Sequence, residues 1–502
     1  MEPESDRYLT VHKQTYVPGD RGKVLLPLSF CRECGQDYYA VRLVEADEAI
    51  EEWPTSDREP STDESRTGYL YTPTSDPWPV VPDEVAHRVP EDWVADNGTI
   101  KPNYRKYLPR PYDVAPDGKT RPEHTGVPGA LRAWLVPSPL RFCLACGVAY
   151  GSRQRSDFPK MTTLGSEGRS SATTVLSLSA VRYLRADGEL PEEARKLLCF
   201  SDSRQDASLQ AGHFNDFVAV GLLRSALYRA AAEAGPAGLT HEELTHRVAA
   251  ALGLGLPEYA SNPEVRFAAR EQTDKALRDV LGYRLYLDQQ RGWRVTSPNL
   301  EQTGLLRIEW GSLAEVCRAE DVWAELLGRR PEDKNRPAHP VLLAATPAQR
   351  EELARTLLDW LRHELAIKVG YLSAADLDQV RQRSAQWLRE PWALDEDERL
   401  FTATVAFPRS RGADDYRGHV YLSGRSSFGM YIARRATGEW GLADKLGWGE
   451  RQEVIGDILA GLTQGGLVEV VEEATDGEGS VPGFQVNAAT MRWVAGDGTE
   501  VA

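Results

Sequence analysis

The chain has 502 residues, a net charge of −16, 41% hydrophobic residues and 27% charged residues. These values are typical of a globular protein with several domains, and they exclude a collagen-like or wholly disordered chain. No window comes near the roughly 18 consecutive apolar residues of a membrane-spanning helix. The acidic start lacks the apolar core of a signal peptide, so the expected compartment is the cytoplasm and no membrane partner is expected. Taken alone, the negative charge argues against a large nucleic-acid footprint.

Most of the negative charge lies in one stretch of the sequence. Residues 43–100 hold fifteen acidic residues and three arginines, a net charge of −12. The stretch is rich in Pro, Ser, Thr and Asp, which predicts a solvated insertion or loop. The remaining residues are close to neutral, so local basic surfaces elsewhere are compatible with the composition.

Four of the six cysteines form two pairs, Cys31 with Cys34 and Cys143 with Cys146, and each pair lies in the pattern F-C-x-x-C-G-x-x-Y. Two residues between thiolates let both sulfurs turn toward one ion, and a glycine after the second cysteine allows the positive φ that closes the turn. The two pairs therefore predict a closed, structural zinc site with four thiolate ligands. The alternatives are unrelated buried pairs or a redox CxxC motif; the repeated pattern favours zinc, and neither pair has the strand-and-helix context of a redox motif.

After the cysteine pairs, helical patterns flank a short apolar run. A helix is predicted through 175–184, a buried strand at 196–200 that includes Cys199 as a core residue, and a long helix over about 207–233. Helix, apolar strand, polar turn and helix in this order predict the opening of an α/β layer with parallel strands.

Two later segments combine helices with a β-hairpin, which is the winged-helix pattern. In the first segment, Thr240 and Glu243 have capping-box spacing and a second helix is predicted near 264–281. In the second, an amphipathic helix is predicted over 451–466, with a glycine pair at its end. The region between them is predicted to be helical, as in 348–365. The predicted hairpin strands are 284–288 with 293–296, and 467–472 with 483–487.

Particular runs carry a resemblance to a known family. The run K-L-L-C-F-S-D-S-R-Q-D-A at 196–207, continued by Q-A-G-H-F-N-D-F at 210–217, resembles motif IV, which opens the second RecA-like domain of superfamily 2 helicases. The runs at 165–174 and 292–301 are similar to segments of large bacterial DEAD/DEAH-box helicases that carry a four-cysteine module. The resemblance covers most of the chain from about residue 25, and it implies a portion of an ATP-dependent nucleic-acid helicase, with DNA favoured over RNA.

The chain departs from that family in its catalytic motifs. The phosphate loop GxxxxGK[ST] is absent from the sequence, and so is the arginine-bearing motif VI. ATP hydrolysis needs the phosphate cradle, the metal-binding acid and the charge-neutralising arginine together. We therefore expect no catalytic residues and no ATPase activity in this chain, with ATP and Mg²⁺ bound only by a missing or separate ATPase half. The alternative hypothesis is a zinc-dependent winged-helix DNA-binding or scaffold protein without a motor partner.

Basic residues in four places are candidate nucleic-acid contacts, and each has a structural alternative. The run at 101–112 interleaves bases with tyrosines, which suits phosphate contact and base stacking, or packing of a Pro-rich loop on the zinc module. The stretch 409–435 is either a basic loop along the nucleic-acid backbone or is neutralised by nearby acids. Arg169 and Ser170 lie at a predicted helix start, where they either bind a phosphate or only cap the helix. Arg204 follows the predicted strand and contacts nucleic acid, the missing ATPase half or neighbouring aspartates. The candidate residues are Lys106, Tyr107, Arg169, Ser170, Arg204, Arg417 and Arg425.

The sequence thus predicts an α+β multidomain protein with a zinc-ribbon-like module, a partial RecA-like α/β layer and a helical region with winged-helix insertions. The expected divisions are a zinc module (1–155) with an acidic Pro-rich insertion (about 43–130), the RecA-like opening (156–235), a winged-helix-like insertion (236–305), a helical accessory region with a basic loop (306–440) and a second winged-helix-like segment (441–502).

Overall fold

The structure, a computed structural model, is a mixed α+β protein with several sheets. It divides into two compact units: unit 1 comprises Met1–Gly165 and Leu422–Gln452, and unit 2 comprises Ser166–Tyr421 and Glu453–Ala502. The described residues are 8–12, 14–44, 49–53, 66–72, 77–95, 97–121, 130–150, 156–157, 159–163, 169–198, 204–290, 299–327, 334–411, 418–471 and 482–499.

Unit 1 is built on an eight-stranded antiparallel sheet with the order β10-β3-β4-β6-β9-β7-β8, in which β5 also pairs with β4. A separate two-stranded sheet joins β1 to β2. The elements before residue 166 are β1 (Tyr16–Val17), β2 (Asp20–Val24), β3 (Leu28–Cys31), β4 (Asp37–Val44), β5 (Ala49–Glu52), β6 (Arg66–Tyr71), α1 (Pro82–Ala86), β7 (Arg110–Val114), β8 (Thr120–Arg121), β9 (Leu131–Pro137) and β10 (Met161–Thr162), with 3₁₀ turns at Glu91–Trp93 and Pro102–Tyr107.

The two faces of this sheet are both covered. Side chains alternate across a strand, so Tyr69 and Tyr71 of β6 enter one apolar cluster while Leu70 enters another. The larger cluster is aromatic and also contains both buried cysteines of the pairs, Cys31 and Cys143. The cysteine pairs are therefore anchored in the core of unit 1.

The expectation of a solvated acidic insertion is wrong for the described part of residues 43–100. β6 lies in the middle of the sheet, hydrogen-bonded to β4 on one side and β9 on the other. Trp53, Trp78 and Trp93 are 2 to 4% exposed. The physical reason is alternation: on β5, Ile50 is buried while Glu51 is exposed, so acidic residues and core residues share one strand.

Residues 422–452 belong to unit 1 although they are distant in sequence. They contain α12 (Ser427–Ala433), which the Ser426 hydroxyl caps by accepting the Gly429 N–H. A π-helical turn follows at Arg434–Glu439. The predicted basic loop over 409–435 is therefore partly helical. The Ser423 hydroxyl donates to the Glu91 carboxylate, which ties this segment to the N-terminal part of the unit.

Unit 2 is mostly helical, with two small sheets. The elements after residue 166, in chain order and with α12 of unit 1 left out, are α2 (Arg169–Ala186), α3 (Arg204–Ala234), α4 (His241–Leu252), α5 (Leu256–Tyr259), α6 (Phe267–Leu287), β11 (Leu306–Trp310), α7 (Leu313–Arg318), α8 (Glu320–Ala324), α9 (Pro340–Ala344), α10 (Pro347–His363), β12 (Ile367–Lys368), α11 (Ala374–Trp387), β13 (Ala406–Phe407), β14 (Val420–Tyr421), α13 (Trp448–Gln464), β15 (Val468–Val471), β16 (Gly483–Asn487) and β17 (Met491–Ala495).

The sheets of unit 2 join residues that are far apart in the chain. β11 pairs antiparallel with β17, and Leu239 forms an antiparallel bridge to Trp493 on the other side of β17. The second sheet has the order β12-β16-β13-β14, with β15 also paired to β16. The antiparallel β15–β16 pair confirms the predicted strands of the second hairpin.

Several predicted helices of unit 2 are confirmed, because their signals are local. The helices predicted through 175–184 and 207–233 correspond to α2 and α3. Thr240 caps α4 and accepts the Glu243 N–H at 3.3 Å, as the capping box predicts. Gly466 adopts φ +73° after α13, as expected for a C-terminal glycine.

Two predicted strands are wrong where the structure describes them. Residues 196–198 form no strand, and Leu197 and Leu198 are 41% and 78% exposed; the rest of the predicted strand, with Cys199, lies outside the described residues. Residues 284–287 are the last turn of α6, because Leu281, Leu285 and Tyr286 continue its buried face. The second strand of that hairpin, 293–296, lies outside the described residues.

Across the described ranges, no helix combines the length and the apolar character needed to cross a membrane.

Candidate metal centre

Four cysteine sulfurs converge at one point in unit 1. The Sγ atoms of Cys31, Cys34, Cys143 and Cys146 all lie within 4.8 Å of one another. The Sγ atoms of Cys34 and Cys143, which come from different pairs, are 3.8 Å apart. Sulfurs placed about 2.3 Å from a tetrahedral zinc ion are separated by about 3.8 Å. The four thiols therefore fit a zinc ion bound by four sulfurs.

The two turns that carry the cysteines, here called the first knuckle (residues 31–36) and the second knuckle (residues 143–148), have the same backbone hydrogen bonds. In the first knuckle, the Gly35 N–H donates to the Cys31 carbonyl at 2.9 Å. In the second, the Gly147 N–H donates to the Cys143 carbonyl at 2.9 Å. The glycines have φ values of +74° and +73°, which a side chain would strain. The glycine of the repeated pattern thus has the role that the sequence predicts.

The tyrosine of each repeat reaches the sulfur of the other knuckle. Tyr38 follows the first knuckle, and its hydroxyl oxygen lies 3.2 Å from Cys143 Sγ. Tyr150 follows the second knuckle, and its hydroxyl oxygen lies 4.0 Å from Cys31 Sγ. The two repeats are therefore interlocked across the metal centre, with one close contact and one longer contact.

Side chains outside the knuckles hold the loops in place. The Arg32 side chain donates to the Met161 carbonyl at 3.2 Å, which fixes the first knuckle to β10. Arg88 donates to the Leu144 carbonyl at 3.1 Å and Arg434 donates to the Ala145 carbonyl at 2.8 Å, so two arginines fix the second knuckle. The second of these arginines comes from the segment 422–452.

The electrostatics of the cluster favour a bound cation. Hydrogen bonding with Cys143 is the largest cause that raises the pKa of Cys146 well above its usual value, and hydrogen bonds to Cys31 and Cys34 add to it. Four thiolates at this separation repel one another unless a cation lies between them. Cys31 and Cys143 are buried and Cys34 is exposed, so the centre lies at the edge of the aromatic core. Four sulfur ligands would complete a tetrahedral site and leave no position open for a substrate.

The first candidate nucleic-acid contacts lie near this centre in unit 1. Lys106 is exposed, and its Nζ lies 5.0 Å from the centre of the Tyr107 ring. The guanidinium of Arg141 lies 5.1 Å from the same ring. Trp93 also packs on Tyr107, and it stacks on Tyr104 at 5.0 Å. Tyr104 and Tyr107 therefore pack on the aromatic core, while Arg105, Lys106 and Arg110 are exposed.

Arg425 also lies in unit 1. Its guanidinium stacks 3.7 Å from the centre of the Trp448 ring, which also packs on the tilted ring of His87, 4.6 Å away between ring centres. In the described part of the chain, Arg425 pairs with no carboxylate, whereas nearby Arg435 forms an ion pair with Glu439. Arg417 lies outside the described residues.

The remaining candidates belong to unit 2. Arg169 and Ser170 are the first two residues of α2, so Ser170 lies inside the helix instead of capping it. Arg204 is the first residue of α3. The side chains of these three residues lie outside the described part of the structure. Lys106, Tyr107 and Arg425 belong to unit 1 and these three residues belong to unit 2.

Sequence reasoning missed two residues of the unit 1 surface. Arg141 directly precedes Phe142, the first residue of the repeated cysteine pattern. This closeness to the second knuckle was the signal that could have identified it. Trp448 packs against Arg425 although the two residues are 23 positions apart in sequence, and no local sequence pattern predicts that contact.

No protein-family model matches the chain. No curated protein matches it, and no solved structure matches it.

Proposed function

We propose that the chain is a nucleic-acid-binding protein whose first unit is stabilised by one structural zinc ion. The four converging thiols support the zinc, and the closed ligand set assigns it to stability rather than to chemistry on a substrate. Structural zinc contributes on the order of 10 kcal/mol of apparent binding free energy. The zinc-ribbon-like knuckles would then fix the surfaces that surround them.

A basic surface beside the knuckles carries the binding proposal. Lys106 and Arg141 both lie against the ring of Tyr107, and Arg105 and Arg110 are exposed next to them. Among the described residues, neither Arg105 nor Lys106 forms an ion pair with a carboxylate. Basic side chains without acidic partners are available to phosphates, and such contacts supply most non-specific affinity for nucleic acids.

The order of elements in unit 2 supports a winged-helix arrangement. Leu239, α4, α6, β11 and β17 follow in the order of the first strand, two helices and two paired strands of that fold, with β17 between the other two. Residues between β11 and β17 would then be a long insertion in the wing. Winged-helix and other helix-turn-helix modules bind nucleic acid through the helix that precedes the paired strands, which is α6 here.

The sequence favours a second candidate, a portion of a superfamily 2 helicase. Its support is the motif-IV-like run at 196–217, and it requires an ATPase half that this chain lacks. The exposure of Leu197 and Leu198 does not support a buried strand at the start of that motif. We therefore favour a binding protein, and a neighbouring reading frame with GxxxxGK[ST] would favour the helicase portion instead.

The test is binding of fluorescent DNA and RNA oligonucleotides to the full chain over a series of salt concentrations. We expect the logarithm of affinity to fall with the logarithm of salt by about 0.7 to 0.9 for each neutralised phosphate. The double variant Arg105→Ala/Lys106→Ala should lower the magnitude of that slope by about two, which is about one for each lost phosphate contact. The matched control is Lys119→Ala, because Lys119 is exposed but paired with Asp117 at 3.4 Å. Absence of binding at micromolar protein and low salt would reject the proposal.

A further inference from the structure

The two tyrosines of the repeats occupy equivalent positions in sequence but different positions at the metal centre. Each follows the second cysteine of its pair by four residues. The Tyr38 hydroxyl oxygen is 3.2 Å from Cys143 Sγ, and the Tyr150 hydroxyl oxygen is 4.0 Å from Cys31 Sγ. Only Tyr38 is therefore within close hydrogen-bond distance of a sulfur.

The hydrogen bonds around Tyr38 define the direction of its contact with sulfur. The Leu144 N–H donates to the Tyr38 hydroxyl oxygen at 2.9 Å. The single hydroxyl hydrogen of Tyr38 is left for another acceptor, and Cys143 Sγ is the atom in reach. A thiolate has no proton to give, so in the metal-bound state Tyr38 is the donor and Cys143 is the acceptor.

Burial makes this bond difficult to replace. Tyr38 and Cys143 are both 0% exposed. The ring of Tyr38 packs against Tyr69 and Tyr71, with ring centres 6.4 and 5.7 Å away, which holds its hydroxyl in one place. Solvent does not reach this contact in the folded chain.

We propose that Tyr38 is a positioning residue of the metal centre, which donates a hydrogen bond from the first knuckle to the Cys143 thiolate of the second. This inference rests on zinc binding by the four cysteines. A charge-assisted bond to a thiolate is stronger than a neutral one, and partners outside the ligand shell commonly change metal affinity by about 10- to 100-fold. Tyr38 therefore sets the metal affinity, and Tyr150 contributes little.

The experiment measures zinc affinity of the full chain by competition with a chromogenic chelator. We expect Tyr38→Phe to weaken zinc binding by about 10- to 100-fold and Tyr150→Phe to change it by less than about threefold. Tyr69→Phe is the matched control, because Tyr69 is equally buried but its hydroxyl donates to Asp157 at 3.2 Å rather than to a sulfur. Equal affinities for Tyr38→Phe and Tyr69→Phe would overturn the proposal.

Cobalt substitution gives a second measurement, the energy of the sulfur-to-cobalt charge-transfer band. This energy would not change if Tyr38 had a purely structural role. A hydrogen bond to a thiolate stabilises its lone pairs, so the sulfur-to-cobalt charge-transfer band should shift to lower energy in Tyr38→Phe. Replacing Tyr38 with 3,5-difluorotyrosine keeps the shape and acidifies the hydroxyl, so the band should shift to higher energy even if Tyr38→Phe folds poorly. No shift in the fluorinated protein would overturn the proposal. Failure of the unmodified chain to bind zinc or cobalt would instead reject the metal centre itself.

Discussion

Gly424 lies against the backbone of Trp448, in the first turn of α13. A β-carbon at Gly424 would overlap the Trp448 carbonyl oxygen and approach the Gln452 nitrogen to 3.2 Å. The Gly424 N–H donates to the Gln452 side chain at 2.9 Å, and the Gln452 amide donates to the Leu422 carbonyl at 3.1 Å. The loop and the helix start are therefore in direct backbone contact, which leaves no room for a side chain.

Replacing Gly424 with alanine should destabilise unit 1 by about 3 kcal/mol, because the obstacle is backbone and cannot rotate away. Gly449→Ala is the control, because Gly449 directly follows Trp448 in α13 but a β-carbon there meets nothing within 4 Å. Alanine also favours a helix over glycine by about 1 kcal/mol. Urea unfolding of the two variants checks the difference. Equal midpoints would mean that the loop adapts.

We expect about one zinc ion per chain, and its loss in Cys143→Ser should unfold unit 1. The reason is that a structural zinc ion contributes on the order of 10 kcal/mol of binding free energy to the folded state. Cys317→Ser is the control, since Cys317 is also buried but belongs to unit 2 and is not one of the four clustered cysteines. Elemental analysis and circular dichroism make the comparison. Protein purified without chelator that holds no zinc would contradict the prediction.

Glu301 should make unit 2 sensitive to acid. Burial alone would raise its pKa, but the charge of Arg362 lowers that pKa well below its usual value. Arg362 is 0% exposed and donates to both Glu301 oxygens, at 2.6 and 2.9 Å. A carboxyl with a lowered pKa in the folded state stabilises the fold above its unfolded pKa, about 4.3, and loses this contribution as the pH falls further.

Glu301→Gln should accordingly lower the free energy of unfolding by about 3 kcal/mol or more at pH 7. The reason is that it removes a negative charge that pairs with the buried guanidinium of Arg362. The difference from the unmodified chain should shrink progressively below about pH 4. Glu309→Gln is the control, because Glu309 pairs with Arg307 at the surface and such pairs contribute about 0 to 1 kcal/mol. Urea unfolding between pH 7 and pH 3 measures both; a difference that does not depend on pH would assign the effect of Glu301 to packing.

Arg425→Ala should lower the salt slope of nucleic-acid binding by about one, the value for one lost phosphate contact. Stacking on Trp448 leaves the edges of the guanidinium available to a phosphate, which arginine binds well. Arg435→Ala is the matched control in the same segment, because Glu439 already neutralises Arg435. Anisotropy titrations at several salt concentrations give the slopes. If both variants leave the slope unchanged, Arg425 serves only to support Trp448.

We expect the isolated chain to have no ATPase activity, with or without DNA, because the phosphate loop is absent from its sequence. Phosphate release measured after stringent purification is the test. Turnover above about 0.1 s⁻¹, which is still well below typical enzyme rates, would show that the chain contains nucleotide-binding parts that its motifs do not reveal.

The sequence predicts what local chemistry determines. The two knuckles follow from cysteine spacing and a following glycine, and the start of α4 follows from Thr240 and Glu243. In α10, the predicted leucine spacing places Leu353, Leu357 and Leu361 at 0% exposure. Each of these features depends on residues within a few turns of one another.

Long-range pairing is where sequence reasoning failed. β11 pairs with β17, whose residues lie about 185 positions further along the chain, so no hairpin pattern marks either strand. β6 is central because β4 and β9 pair with its two edges, although its neighbours in sequence are acidic. The composition of residues 43–100 is an average over the whole stretch. It does not reveal the few alternating aromatic residues that determine whether the stretch is buried.

The discontinuous make-up of unit 1 has a consequence for its synthesis. The unit needs residues up to Gln452, about 290 positions beyond Gly165. At 5 to 20 residues per second, a ribosome takes roughly 15 to 60 s to make them. During that interval all four cysteines have been translated, but Met430 does not yet cover Gly147 and Arg434 does not yet hold the second knuckle. The N-terminal portion of this protein is therefore among the last parts to reach its final fold. Early metal binding would stabilise the two knuckles until residues 422–452 have been made.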